Sequence, residues 1–158
     1  REDDRIPPGD GGVESFVDKD GYKVYSKHKT IIVSKADYSI PVIFEYIDNL
    51  ILNDVDCLVD IAEISNCRHV TIMSGNFRQL VVYNSVVNGF DIGYTDHLDV
   101  TSNSIAKLTN CQIQSSITVT DFSNLELYDC STTQSTDIQS YDNSNIQLSG
   151  NITQFKKF

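Results

Sequence analysis

A self-similarity in the second half of the chain restricts its fold more than any other feature. The segment from Ile117 to Leu127 (ITVTDFSNLEL) aligns with the segment from Ile138 to Leu148 (IQSYDNSNIQL), 21 residues later. Ile117/Ile138, Asp121/Asp142, Ser123/Ser144, Asn124/Asn145 and Leu127/Leu148 hold equivalent places. A period of about 20 residues, built of short apolar-x-apolar strands and polar corners, predicts stacked coils. The expected fold is therefore all-β: a parallel β-solenoid (β-helix) with two short strands per coil and an N-terminal cap.

The strand cores follow at period two, the apolar residue pointing inward and its neighbour outward. They are Val70/Ile72, Leu80/Val82, Ile92/Tyr94, Leu98/Val100, Ala106/Leu108, Ile117/Val119, Leu125/Leu127, Ile138 and Ile146/Leu148. Asn66-Cys-Arg-His-Val-Thr-Ile72 also aligns with Asn76-Phe-Arg-Gln-Leu-Val-Val82, an offset of half a coil. Four to five coils are expected on this spacing. Asn66, Asn76, Asn84, Asn103, Asn110, Asn124 and Asn145 read as corner residues, because Asn tolerates left-handed backbone and bonds its own turn.

Three regions are expected. Residues 1–14, with Pro7-Pro8-Gly9-Asp10-Gly11-Gly12, read as a flexible acidic leader. Residues 15–57 read as a hairpin and cap region, with Asp18-Lys-Asp-Gly21 as its turn. Within it Ile43, Phe44, Ile47, Leu50 and Ile51 fit a helical stripe, so 39–52 stays open between a capping helix and a strand. Residues 58–158 read as the solenoid proper. Phe155 and Phe158 are placed to cover the last coil or enter a subunit contact.

The net charge is −10, and nine of the twelve basic residues lie at or before Arg78. Such a surface disfavours nucleic acid and anionic membranes. No apolar stretch approaches the length of a membrane span. The chain begins with Arg1, which reads as a processed product or an excised fragment. The four cysteines lack CxxC spacing. Cys111 and Cys130 are 19 residues apart and each follows an Asn or Asp, so they are expected at one corner of successive coils as buried thiols. A reducing site of synthesis is preferred.

Motifs for nucleotide, zinc-protease and serine-hydrolase chemistry are absent, and neither a cofactor nor a metal is expected. The histidines His28, His69 and His97 stand at no ligand spacing. Asp91, Asp96 and Asp99, beside Tyr94 and His97, form the one segment resembling an active site, since paired carboxylates serve glycan cleavage. The alternative is turn and outward strand positions. Tyr83, Tyr94, Tyr128 and Tyr141 fall at or after strand cores and form an expected lateral row for sugar stacking. Arg68 and Arg78 hold equivalent places in the half-repeat and are expected near one another, gripping a carboxylate or an acidic partner.

Two resemblances arise from these residues. The Asn/Ser/Thr/Asp-rich coils over roughly 58–150, with their acidic leader, resemble the β-helical parts of phage tail-spike, tail-fibre and capsid-decoration proteins. That likeness implies a homotrimer on a virion surface or appendage, holding a glycan or a neighbouring virion protein. Ser65-Asn-Cys-Arg-His-Val-Thr-Ile72 with Phe77-Arg-Gln-Leu80 is similar to the cyclase-associated-protein and tubulin-cofactor-C domain, a cytosolic β-helix. Here Arg78 precedes Gln79-Leu80, and Val81 stands where that family's functional arginine follows the pair. The expected function is a non-enzymatic structural or adhesive module of a viral particle. The alternatives are a cytoplasmic partner of a cytoskeletal protein or GTPase, and a small glycan-active enzyme.

Overall fold

A computed structural model describes residues 7–152. The leader residues before Pro7 and the aromatics Phe155 and Phe158 lie outside the described residues. Among the described residues thirteen strands form one continuous sheet, in which every strand pairing is parallel except that of the first strand with the second. A two-residue strand β1 (Phe16–Val17) precedes two long ones, β2 (Lys23–Ser34) and β3 (Val42–Asn53). Each long strand bends at a corner and so contributes to two faces. The first face continues through β4 (Asp56–Ser65), β6 (Asn76–Tyr83), β8 (Tyr94–Thr101), β10 (Ile113–Val119) and β12 (Asp137–Ser140). The second continues through β5 (His69–Met73), β7 (Val86–Phe90), β9 (Ile105–Thr109), β11 (Asn124–Tyr128) and β13 (Asn145–Ser149).

The expected parallel β-solenoid is present, with about seven turns of about 19 residues each, and the described residues include no helix. Its register is read directly from the stacked columns. Val42, Ala62, Leu80, Leu98, Ile117 and Ile138 stack on the first face. Ile31, Leu50, Val70, Val87, Ala106, Leu125 and Ile146 stack on the second. Parallel pairing of each coil with the next satisfies the backbone groups of both. The repeat seen at 117–127 and 138–148 is therefore one step of this stack.

Coil number and coil shape depart from expectation. Residues 23–53 are themselves coils, since β2 pairs in parallel with β3 and β3 with β4 and β5. The solenoid thus starts at β2 and not near Leu58. Segment 39–52 leads into and forms most of β3, a strand with a corner and not a helix. Its inward residues are Val42 and Phe44, then Ile47, Leu50 and Leu52. Tyr46, at φ 53°, turns the chain between the two alternating runs. That corner shifts the phase of the alternation and produces an apparent spacing of three and four.

Each coil also has a short third side. It is carried by the pairings Asp37↔Asp56, Cys57↔Phe77, Asn76↔Tyr94, Thr95↔Ile113 and Gln112↔Ser131. One or two residues per coil are too few to show a strand signature in sequence. Its inward side chains (Tyr38, Cys57, Phe77, Thr95, Ile113, Thr132) fill the core column there.

The N-terminal edge is covered by the chain that precedes β2. β1 pairs antiparallel with its start, and Gly9 bridges antiparallel to Ser34 at its end. The expected turn joins β1 to β2: Asp18 Oδ1 accepts from the Asp20 and Tyr22 amides, with Gly21 at φ 86°. Residues 7–14 are thereby held against the first coil. Covering an edge strand in this way blocks its pairing with another chain.

Candidate functional site

The corners are structural. Asn66 and Asn84 take left-handed backbone, at φ 54° and 43°, where the first face meets the second, and Asn103 does so at φ 58°. Asn84 Nδ2 donates to Asn66 Oδ1 at 2.6 Å. Asn66 therefore stacks on Asn84 and not on Asn76, which lies on the third side bonded to Asp56. The half-repeat equates two different places in the coil, so it carries no spatial relation. Arg68 and Arg78 separate for the same reason. Arg68 lines an open hollow of about 290 Å³ with Asn66, Asn84 and Asn103. Arg78, on the opposite corner, donates from Nη1 to the Val59 carbonyl at 2.8 Å.

All four cysteines are buried and free. Cys111 and Cys130 occupy one corner of successive coils, as the sequence predicts, with the Ser131 amide donating to the Cys111 carbonyl. The hydrogen bond to Cys130 and burial push the Cys111 thiol up. Burial does the same for Cys57 and Cys67. Among the described residues no group of three or more potential metal ligands assembles.

The three aspartates do not converge. Asp91 sits at the corner after β7, at φ 56°, accepting from Asn110 Nδ2 at 2.8 Å. Asp96 lies where the third side meets the first face, and Asp99 points outward from the first face. Asp99 Oδ2 accepts from Gln79 Nε2 at 2.8 Å, one coil below. Asp96 faces His97 Nε2 at 3.4 Å and accepts from Ser115. His97 Nδ1 meets Ser116 Oγ at 2.8 Å. An imidazole is thus flanked by a carboxylate and a hydroxyl on an open strand face.

The tyrosines divide likewise. Tyr94 is on the third side. Tyr128 closes β11 on the second face, in the column of Thr109 and Ser149. Tyr83 and Tyr141 share the far edge of the first face. Tyr83 pairs with Thr101, Thr101 bonds Thr120 at 2.9 Å, and the Tyr141 amide donates to Val119. The two rings, 44% and 49% exposed, bracket a threonine pair across three coil steps, about 14 Å at the usual strand spacing.

The first face is therefore the most organised polar surface. Its outward columns run Gln79, His97, Ser116, Asp137 and Val81, Asp99, Thr118, Gln139, in register. Nearly all are only half exposed, so their donors and acceptors are held by neighbours instead of waving in solvent. Gln79, Ser115, Ser116, Asp137 and Gln139 escape sequence reasoning, because the step between coils varies and local bulges interrupt β4 and β10. The signal for them is the stacking of Leu80, Leu98, Ile117 and Ile138, which places each neighbour once the register is known.

A second hollow, of about 380 Å³, opens at the N-terminal end beside Asp10, Lys23, Tyr25 and Tyr38. Tyr25 stacks on Phe44 at 5.0 Å and 5°, with Tyr38 edge-on to both. Tyr25 Oη donates to Asp10 at 2.7 Å and meets Tyr38 Oη at 3.0 Å. Burial raises both phenols, Tyr38 to about 12, while the Tyr25 hydrogen bond holds Asp10 below the usual carboxylate value. This chain of bonds ties the leader to the first aromatic layer.

These features define an all-β parallel β-solenoid with one ordered polar face. Comparison with protein-family models, curated proteins and solved structures finds no match.

Proposed function

We propose that the chain is a non-enzymatic structural and adhesive module of a viral particle whose first face binds a glycan. One observation carries the binding role: two in-register columns of mostly half-buried polar side chains, among them Gln79, His97, Asp99, Ser116, Thr118 and Gln139, bordered at one edge by Tyr83 and Tyr141. Sugars are recognised by this combination, aromatic faces stacking on the ring while fixed polar groups bond its hydroxyls. The 14 Å between the tyrosines spans a short oligosaccharide. The acidic face favours neutral or amine-bearing sugars over sulfated or carboxylated ones. The virion setting is supported by the resemblance of the polar coils to phage appendage domains.

The test is a glycan array followed by titration calorimetry. Wild-type protein should bind neutral or amino-sugar oligosaccharides. Tyr141→Ala and Asp99→Ala should each weaken binding about tenfold, a loss near 1.4 kcal/mol. Tyr94→Ala, on the third side, should leave affinity unchanged. Absence of binding across the array, or equal affinity in all variants, overturns the reading.

A further inference from the structure

The second face differs from the rest of this acidic molecule in charge and in apolar content. Its outward columns, from β5 to β13, run His69, Val86, Ile105, Asn124, Asn145; Thr71, Asn88, Lys107, Glu126, Gln147; and Met73, Phe90, Thr109, Tyr128, Ser149. Lys107 and Glu126 are the one acid and one Lys/Arg among these fifteen positions, and they face each other at 3.8 Å. The chain carries −10 overall, yet this face is neutral. It also exposes Met73 (46%), Val86 (39%), Phe90 (40%), Ile105 (52%) and Tyr128 (46%), with Ile32 (41%) of β2 extending the patch.

We infer that the second face is the surface through which copies of this chain associate. Three arguments select a second copy as the occupant. A cationic partner gains nothing from a neutral patch and would settle on the acidic surfaces. Two copies of a body this acidic repel, and a neutral face lets them approach with the least electrostatic cost. The area is also sufficient. Strands of five residues over six or seven coils cover about 500 Å² per copy, so two copies bury about 1,000 Å², the lower bound for a specific contact. Isolated exposed apolar residues are ordinary, whereas here Met73 stacks on Phe90 and Val86 on Ile105 in two columns of one face, and such clustering marks an interface. Association is independent of ligand binding at the first face, which points away from the contact.

Sedimentation velocity on the full chain between 1 and 100 µM tests this. Wild-type protein is expected to sediment as an oligomer at the upper concentrations. Phe90→Asp combined with Ile105→Asp should shift it to monomer, with at least a tenfold rise in dissociation constant. Because that pair could disturb a coil, Met73→Glu alone is the second variant, with circular dichroism confirming the fold of each. Thr118→Asp with Gln139→Asp, on the first face, should leave the oligomer intact. An oligomer of any number that the second-face variants dissociate and the first-face variant does not supports the inference. A wild-type monomer at 100 µM overturns it, and so does an oligomer indifferent to the second-face substitutions.

Discussion

Glu63 shows how the first face holds its polar groups. It is the outward residue of β4 that pairs with Ile43 below and Val81 above, so apolar side chains adjoin it in its column. Burial raises its pKa, and the nearby Glu45 adds to the shift. The folded state therefore binds the Glu63 proton more tightly than the unfolded chain does. The associated stability is fully present below the unfolded value, about 4.3, and is lost as pH rises through the higher folded value. Glu63→Gln should accordingly raise the urea midpoint at pH 7, with the gain closing as pH falls to 4. A variant equally improved at both pH values would show that charge is not the cause. The same column logic explains which site residues were legible in sequence. Asp96 and Asp99 stand out because they are neighbours along the chain. Gln79 and Ser116, which bond Asp99 and His97, arrive from adjacent coils, and coil length varies enough to hide them.

At the level of single elements, the corner between the first and second faces is held by an internal ladder. The Cys67 amide donates to Ser85 Oγ, Ser85 to Ser104, Ser104 to Ser123 and Ser123 to Ser144, at 3.0 to 3.2 Å. Each buried hydroxyl accepts from the coil before it; those of Ser85 and Ser104 also donate to carbonyls, in Ser104 to Thr101 at 2.7 Å. Ser104→Ala leaves the Ser85 amide without its acceptor in a site closed to water. The cost should be about 1–3 kcal/mol, read as a lower urea midpoint at unchanged slope. Ser104→Cys should recover part of it, because Cys67 fills the equivalent place and donates from Sγ to Phe44. Equal loss in both variants would locate the effect in packing instead. The echo of Ser123 and Ser144 in the sequence is this ladder, so the strongest repeat signal marks a real hydrogen-bonded column. The corner at Tyr46 had the opposite effect: a left-handed residue between two strand runs imitated helical spacing. The third side was invisible because a column of Cys57, Phe77, Thr95 and Ile113 shares no residue type.

The molecule as a whole is a one-dimensional stack whose two described ends differ. At the N-terminal end, β1 and the Gly9–Ser34 bridge cover the edge of β2, and Asp10 is bonded to the buried Tyr25. In the middle coils the core is closed: Leu80, Leu98 and Ile117 have no exposed surface. In the last described coil Ile138, Ile146 and Leu148 are only partly buried. In a stack where each coil contacts only its neighbours, stability is a sum of coil and interface contributions, and a coil whose core is partly open exchanges before one whose core is closed. Hydrogen exchange followed by mass spectrometry should therefore find the amides of β12 and β13 exchanging at least tenfold faster than those of β6 and β8. The N-terminal strands β2 and β3 should be protected like the middle, because the preceding chain substitutes for a missing coil. Tyr25→Phe removes the hydroxyl that holds Asp10 and should selectively accelerate exchange around Gly9 to Gly12 and at the start of β2, leaving β12 and β13 at their own rate. Uniform exchange along the whole stack would instead mean that the seven coils open as one cooperative unit, and that covering the first edge contributes nothing local.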